Sequence, residues 1–270
     1  MSDLLDPAPF LITKEHRRFV EFCDACRHYR YIGLCYGAPG VGKTVSARTY
    51  AHWALIEPCL QLEPQPHRGP ELPSEDLRTV LYTPTVVNTP KRIQTQIAEL
   101  RAYLLTFRYA QARPAQGTAA EPLTQRPPRE LILVDEADRL AMNGLEEIRD
   151  LYDRHDVAVI LLGIPGIEKR LARYPQLYSR VGFVHAFKPL NREDIHFVLQ
   201  HKWQRLGLPF DAEGTDTEAV AAIIRITSGN FRLLQRLFSQ MERVMQINHL
   251  AVITKEVVEA ARELLVIGPT

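Results

Sequence analysis

Long apolar runs are missing from this chain: nothing in it approaches the roughly 18–20 consecutive apolar residues of a membrane span. Its first residues, Met1-Ser2-Asp3-Leu4-Leu5-Asp6, are acidic and have neither the cationic start nor the apolar core of a secretory leader. The expectation is a cytoplasmic protein without a membrane partner. A charge excess is missing as well. The formal net charge is +1 over 270 residues, so any nucleic-acid surface must be a local patch. Cysteine is scarce, with Cys23, Cys26, Cys35 and Cys59 making four. Cys23 and Cys26 have metal-like spacing with His16 and His28 near, but a four-ligand zinc site wants a second close pair. Buried or half-buried free thiols are the simpler expectation, because Cys23 and Cys26 fall in a helical pattern and Cys35 in a strand. Internal repeats and base-reading motifs are lacking too. What remains, 46% hydrophobic and 24% charged residues, is ordinary for a globular chain of one large domain, or of a core with a small appendage.

Against this plain background one stretch stands out, Gly37-Ala38-Pro39-Gly40-Val41-Gly42-Lys43-Thr44, followed by Val45. An apolar run, Tyr31 to Tyr36, precedes it and a good helix opening follows. Strand, glycine loop and helix are the context in which G-x-x-x-x-G-K-[ST] becomes a phosphate cradle. Glycines let backbone N–H groups crowd around an anion, and the helix N-terminus adds its positive dipole end. Lys43 would reach the β- and γ-phosphates of a nucleotide, and Thr44 would offer its hydroxyl to Mg²⁺. The bland alternative is a plain glycine turn.

Periodicity and punctuation place the other elements. Thr13 can cap a helix over Lys14–Tyr29, with Phe19, Val20, Phe22, Cys23 and Cys26 at three- and four-residue steps. The helix after the glycine loop is expected to run to about Ile56 and to end at Pro58. Prolines crowd residues 57–78 and 109–129, which read as loops. Short strands are expected at 79–83, 131–134, 157–162 and 182–187, and helices at about 91–107, 145–155 and 167–174. Leu131-Ile132-Leu133-Val134 and Val157 to Leu162 are continuously apolar, as strands buried on both faces are. Alternation of strand and helix predicts a three-layer α/β sandwich with right-handed crossovers. Beyond Pro189 the pattern turns helical, at 191–206, 215–226, 231–247 and 255–265, with Thr254 capping the last. This predicts a nucleotide-binding core over 1–188 and an all-helical domain over 189–270.

Asp135 and Glu136 sit just past the apolar strand 131–134. Asp135 can hold the Mg²⁺ hydration shell and Glu136 can polarise a water against the γ-phosphate. Two adjacent carboxylates at a buried strand tip are costly without a cation and a task, although a solvated acidic turn is the alternative. The second acid favours a hydrolase over a small-molecule kinase. Asp135-Glu136-Ala137-Asp138 also spells the helicase "DEAD" string, but no second nucleotide-binding domain follows, and Asp138 is expected to face Arg139 or solvent. Arg232, one turn into a helix after Gly229, can point at phosphates with its bidentate fork, or simply lie on a basic surface with Arg236. Arg180, just before the fifth strand, is the first candidate for an arginine finger supplied to a neighbouring subunit, with Arg170 and Arg173 as competitors and no finger as the remaining option.

These parts together resemble the AAA+ ATPases. Within them, Leu133 to Leu140, Gly163 to Arg170, Gln176 to Arg180 and the ending Gly229-Asn230-Phe231-Arg232 with Ile253 to Val258 look like the TnsC/TniB/MuB group of transposition regulators, over roughly residues 14–265. The resemblance implies an AAA+ three-layer sandwich with a five-stranded parallel sheet followed by an all-helical lid, with Arg232 as sensor 2. It further implies an ATPase that oligomerises on double-stranded DNA as a ring or helical filament and recruits or stimulates a transposase. An AAA+ ATPase serving another partner, helicase-loader-like or secretion-associated, is the alternative. One position departs from the pattern: where a polar residue usually positions the attacking water after the fourth strand, this chain has Ile164, which predicts slow intrinsic turnover.

DNA is expected along residues 88–130, where seven cations (Lys91, Arg92, Arg101, Arg108, Arg113, Arg126 and Arg129) face three acids. Thr89, Lys91 and Arg92 at a helix N-terminus are the best single phosphate contact. The resembled family turns this segment to a central channel. A solvated basic face is the alternative, and binding would be largely independent of sequence.

Overall fold

The computed structural model describes residues 10–60, 77–111, 129–205 and 217–265. Most of the two proline-rich segments, 61–76 and 112–128, lies outside the described residues, and so do Arg113 and Arg126. The chain divides into two compact units. One comprises His16–Gly37 and Lys43–Phe187; the other comprises the described residues of Met1–Glu15, Ala38–Gly42 and Lys188–Thr270.

The first unit is built on a five-stranded sheet. Its strands are β1 (Ile32–Tyr36), β2 (Thr79–Tyr82), β3 (Glu130–Val134), β4 (Val157–Gly163) and β5 (Val181–Ala186), in the spatial order β2-β3-β4-β1-β5. All four pairings are parallel. The two continuously apolar runs are its centre: Leu131–Val134 and all of β4 are buried, as parallel strands covered on both faces must be. Helix α1 (Lys14–Tyr29) follows the expected bounds, and α4 (Pro90–Gln111) and α5 (Met142–Arg154) lie close to theirs.

Two helices differ from expectation. The one after the glycine loop is broken into α2 (Lys43–Tyr50) and α3 (Trp53–Leu60), with His52 at φ 49° where the chain turns. Pro58 lies inside α3 and does not end it; in so short a helix it removes a single backbone bond. Likewise 167–174 is one turn, α6 (Ile167–Leu171), and a second turn, α7 (Pro175–Tyr178), begins at Pro175 in the N1 position that proline favours.

The second unit is helical, with α8 (Arg192–Arg205), α9 (Thr217–Thr227), α10 (Phe231–Ile247) and α11 (Lys255–Glu263). Three of these helices are capped by side chains, the last of them at Thr254 as expected. Asn191 Oδ1 accepts from Asp194 N–H at 2.8 Å, Asn230 Oδ1 from Leu233 N–H at 3.1 Å, and Thr254 Oγ1 from Val257 N–H at 3.5 Å. The core is a single cluster that includes Leu199, Trp203, Ile223, Leu237 and Met241, with the Trp203 and Phe238 rings edge to face at 5.5 Å. Gly229 makes the turn into α10 possible. Its φ is +77°, and a Cβ there would meet the Leu190 carbonyl oxygen at 2.2 Å.

Candidate nucleotide site

Within the sheet unit, Lys43 and Thr44 open α2 directly after the glycine loop, and Asp135 follows β3. In a parallel sheet whose order reverses, the C-terminal strand ends are where a ligand is received. Gly37 N–H donates to the Gly163 carbonyl at 3.3 Å, so the loop leaves β1 fixed to the tip of β4. Lys43 Nζ donates to the Gly37 carbonyl at 2.6 Å, which holds the ammonium back over the start of the loop.

Asp135 is buried, with 4% of its surface exposed. Burial pushes its carboxyl above the usual carboxylate range, while hydrogen bonds from the Thr44 hydroxyl and the Glu136 N–H and the charge of Lys43 work against that rise. Asp135 Oδ1 accepts from Glu136 N–H at 2.9 Å. Thr44, Asp135 and Lys43 are thus brought together as the sequence pairs them. A buried carboxylate held up in pKa beside a hydroxyl is a hard-oxygen set of the kind Mg²⁺ accepts, and a cation there would relieve the cost of burial.

The charge of Glu136 adds to the rise at Asp135, but its side chain pairs elsewhere. Its backbone is left-handed (φ 50°, ψ 42°), and its side chain, about half exposed, makes an ion pair with Arg139. The Arg139 guanidinium also donates to the Pro84 carbonyl at 3.0 Å, and the Arg139 carbonyl accepts from the Asn88 amide at 3.2 Å. Arg139 therefore joins Glu136 to the end of β2 and the segment leading into α4. Asp138, half-buried, is not the partner of Arg139, which pairs with Glu136. The Asp138 carboxylate accepts the Ile164 N–H at 2.9 Å, tying the turn after β3 to the tip of β4. Ile164 immediately follows β4 and is 47% exposed, so no polar side chain is supplied at that position.

The three finger candidates sit differently. Arg170 is committed internally, donating to the Asp138 carbonyl at 2.8 Å and to the Leu140 carbonyl. Arg180 grips Asp153 with both arms, Nε to Oδ1 at 2.7 Å and Nη2 to Oδ2 at 2.8 Å. The guanidinium holds the Asp153 carboxyl below its ordinary range. Arg173 is exposed.

In the helical unit, the glycine-loop residues Ala38–Gly42 group with α10 through hydrogen bonds that sequence reasoning missed. Asn230 Nδ2 donates to the Pro39 carbonyl at 2.9 Å, and Arg232 N–H donates to the Gly40 carbonyl at 2.9 Å. Gly40 is at φ +83°, where a Cβ would strike Asn230 Oδ1 at 2.5 Å. The Arg232 side chain is exposed.

Along α4, Thr89 caps the helix by accepting Arg92 N–H at 3.3 Å, and Lys91 and Arg92 are exposed. The wider basic segment is less available than its charge suggests. Arg101 is bidentate on Glu130, at 3.0 Å for each bond, and Arg129 pairs with Asp156 at 2.8 Å. Cys23 and Cys26 are buried, and burial drives the Cys26 thiol up to about 12 and that of Cys23 well above its usual value, so both are neutral packing groups. Among the described residues no helix is long and apolar enough to cross a membrane.

A glycine loop after β1, an acidic pair after β3 and a parallel sheet in the order 2-3-4-1-5 define a P-loop nucleotide-binding core of the AAA+ type. An AAA domain signature matches residues 26–171, over half of the chain, and the chain belongs to that family. It is 45% identical over 273 residues to a "potential ATP-binding protein" of Staphylococcus aureus, covering 96% of this chain and 97% of that one. It is 23% identical over 248 residues to the Mu-like prophage FluMu DNA transposition protein B of Haemophilus influenzae, covering 88% of this chain and 74% of that one. Its fold is similar to that of the Thermotoga maritima RuvB Holliday junction branch migration motor, with TM-score 0.58, 14% identity and coverage of 95% and 70% of the two chains. It is also similar to the Aeropyrum pernix ORC1 protein solved in complex with DNA, with TM-score 0.57, 17% identity and coverage of 97% and 68%.

Proposed function

We propose that this protein is an ATP-dependent DNA-binding regulator of transposition, which oligomerises on target DNA, recruits or activates a transposase and hydrolyses ATP slowly. The observation that carries the nucleotide half is the meeting of Lys43, Thr44 and buried Asp135 at the loop that joins β1 to α2. What supports the transposition half is similarity to a DNA transposition protein B over 88% of the chain. The alternative, an AAA+ ATPase serving another partner, keeps the nucleotide chemistry and drops the transposase.

In this reading the N–H groups of Gly37–Thr44 and the Lys43 ammonium bind the phosphates, and Val45 continues the helix that carries them. Thr44 and Asp135 would hold Mg²⁺, which would supply neutralisation of the charge developing on the phosphate oxygens. Glu136 orients and deprotonates the attacking water, so that ATP and water become ADP and phosphate. Arg232 contacts phosphate from the helical domain (189–270, against a core of 1–188). A neighbouring subunit supplies the finger. Arg170 is a poor choice because its guanidinium is spent on two carbonyls; Arg180 must leave Asp153 to serve, and Arg173 need not.

Slow turnover has two supports. Ile164 offers no polar group to the water, and Glu136 is held by Arg139. Half-exposed ion pairs are weak, worth up to about 1 kcal/mol. Arg139→Ala should therefore raise DNA-independent phosphate release by roughly 2- to 5-fold. A rate that stays level or falls, in a variant of unchanged melting temperature, would remove Arg139 as a restraint.

DNA is assigned to Thr89, Lys91 and Arg92, where two exposed cations flank a capped helix start. Lys91→Glu with Arg92→Glu should weaken binding to double-stranded DNA uniformly across sequences and flatten its salt dependence by a slope of about 2. Filter binding over a salt series measures this, and an unaltered slope would place the DNA elsewhere.

A further inference from the structure

Asn230 is spent in two directions at once. Its Oδ1 caps α10 by accepting the Leu233 N–H at 3.1 Å, while its Nδ2 reaches 191 residues back along the chain to the Pro39 carbonyl at 2.9 Å. Two residues on, the Arg232 N–H, one of the donors left over at a helix start, takes the next carbonyl of the loop, that of Gly40, at 2.9 Å. A trans peptide is planar, with its N–H and C=O on opposite sides. Holding the carbonyls of Pro39 and Gly40 toward α10 therefore turns the N–H groups of Gly40 and Val41 the other way. Successive N–H groups turned to one side make an anion-binding concavity. Gly40, at φ +83° and with no room for a Cβ beside Asn230, fits the close approach that this arrangement needs.

We infer that Asn230 is a positioning residue for nucleotide binding: through its amide it sets the peptide orientation of the phosphate loop, so that α10 prearranges the loop's donors before ATP arrives. The inference rests on the reading of Gly37–Thr44 as a phosphate site, and it concerns a different group from the Arg232 guanidinium. An asparagine is suited to the position because its amide accepts for the cap through Oδ1 while donating to a carbonyl through Nδ2. Serine caps a helix about as well as asparagine but is too short to reach the loop. Aspartate keeps the length and the acceptor and lacks the donor.

The test compares wild type with Asn230→Ser, Asn230→Asp and Asn230→Ala in the full chain, measuring the affinities for MgATP and MgADP, the saturated hydrolysis rate and the nucleotide-free melting temperature. Asn230→Ser should melt like wild type and bind both nucleotides roughly 3- to 10-fold more weakly, the value of one net hydrogen bond. Its saturated rate should stay within about twofold of wild type, since a loop preset before binding acts on affinity. Asn230→Asp should lose at least as much affinity without losing the cap, and Asn230→Ala should lose affinity and stability together. Wild-type affinity in Asn230→Ser, or affinity loss that tracks melting temperature across the three variants, would overturn the role of Asn230 while leaving the phosphate site standing. Wild-type protein that binds neither nucleotide would overturn both.

Discussion

Glu136→Gln should cut ATP turnover by at least about 100-fold while leaving MgATP affinity within roughly threefold of wild type, because a general base contributes on the order of 10²–10⁴ to rate. Glutamine keeps the volume and the left-handed backbone requirement of Glu136 (φ 50°) and removes only the ability to take a proton from water. Binding is carried by other groups, the loop N–H donors, Lys43, Thr44 and Asp135, so affinity and rate separate. The variant should also lengthen the life of any assembly that ATP supports on DNA. Single-turnover phosphate release with equilibrium nucleotide binding on the same preparation measures both quantities. Turnover that survives the substitution would mean that the water is activated elsewhere and that the Glu136–Arg139 pair is only a surface contact.

Lys43→Ala should weaken MgATP affinity by roughly 10- to 150-fold, the worth of a charged hydrogen bond at about 1.5–3 kcal/mol. In the structure the ammonium lies on the Gly37 carbonyl at 2.6 Å, so the loop itself stations the charge where phosphates would enter. Losing that single bond to a backbone oxygen should cost the fold little. The check is a thermal shift: the nucleotide-free melting temperature stays close to that of wild type, and the upward shift produced by excess MgATP, RT ln(1 + [L]/Kd) in free energy, shrinks accordingly. An undiminished shift would place the nucleotide away from Gly37–Thr44.

The parts of the fold legible in the sequence were those written as continuous apolar runs or as caps. Leu131–Val134 and Val157–Leu162 read as strands covered on both faces, and α1 and α10 begin and end where their periodicity places them. The break at His52 was hidden because no glycine or proline marks it; a left-handed histidine does the turning. Pro58 misled because its local penalty is a single bond in a helix held by its buried Trp53 and Ile56. The helix expected over 167–174 stops short at Leu171, and the turn beginning at Pro175 was not foreseen.

Within the candidate site, residue identities were legible and pairings were not. Motif spacing named Lys43, Thr44, Asp135 and Glu136, since the chemistry is local to two strand tips. Asn230 was readable as a cap but not as a donor to Pro39, because a bond across 191 residues exists only in the tertiary structure. Arg170 and Arg180 look alike as free cations on paper, and only packing commits one to two carbonyls and the other to Asp153. Arg101 and Arg129 lent the segment 88–130 an apparent charge that their carboxylate partners largely cancel. Glu136 and Asp138, two positions apart, likewise divide their tasks. Asp138 turns to Ile164, while Glu136 pairs with the arginine that reaches Pro84.

Direct imaging of the full chain with plasmid DNA and a slow-hydrolysing ATP analogue tests the central claim in one measurement. The proposal predicts regular protein assemblies along double-stranded DNA that form with the analogue, fail to form without nucleotide or with Lys43→Ala, and thin out with Lys91→Glu and Arg92→Glu. DNA that stays bare while the protein binds the analogue normally would contradict it, and would leave an AAA+ ATPase whose partner is something other than DNA.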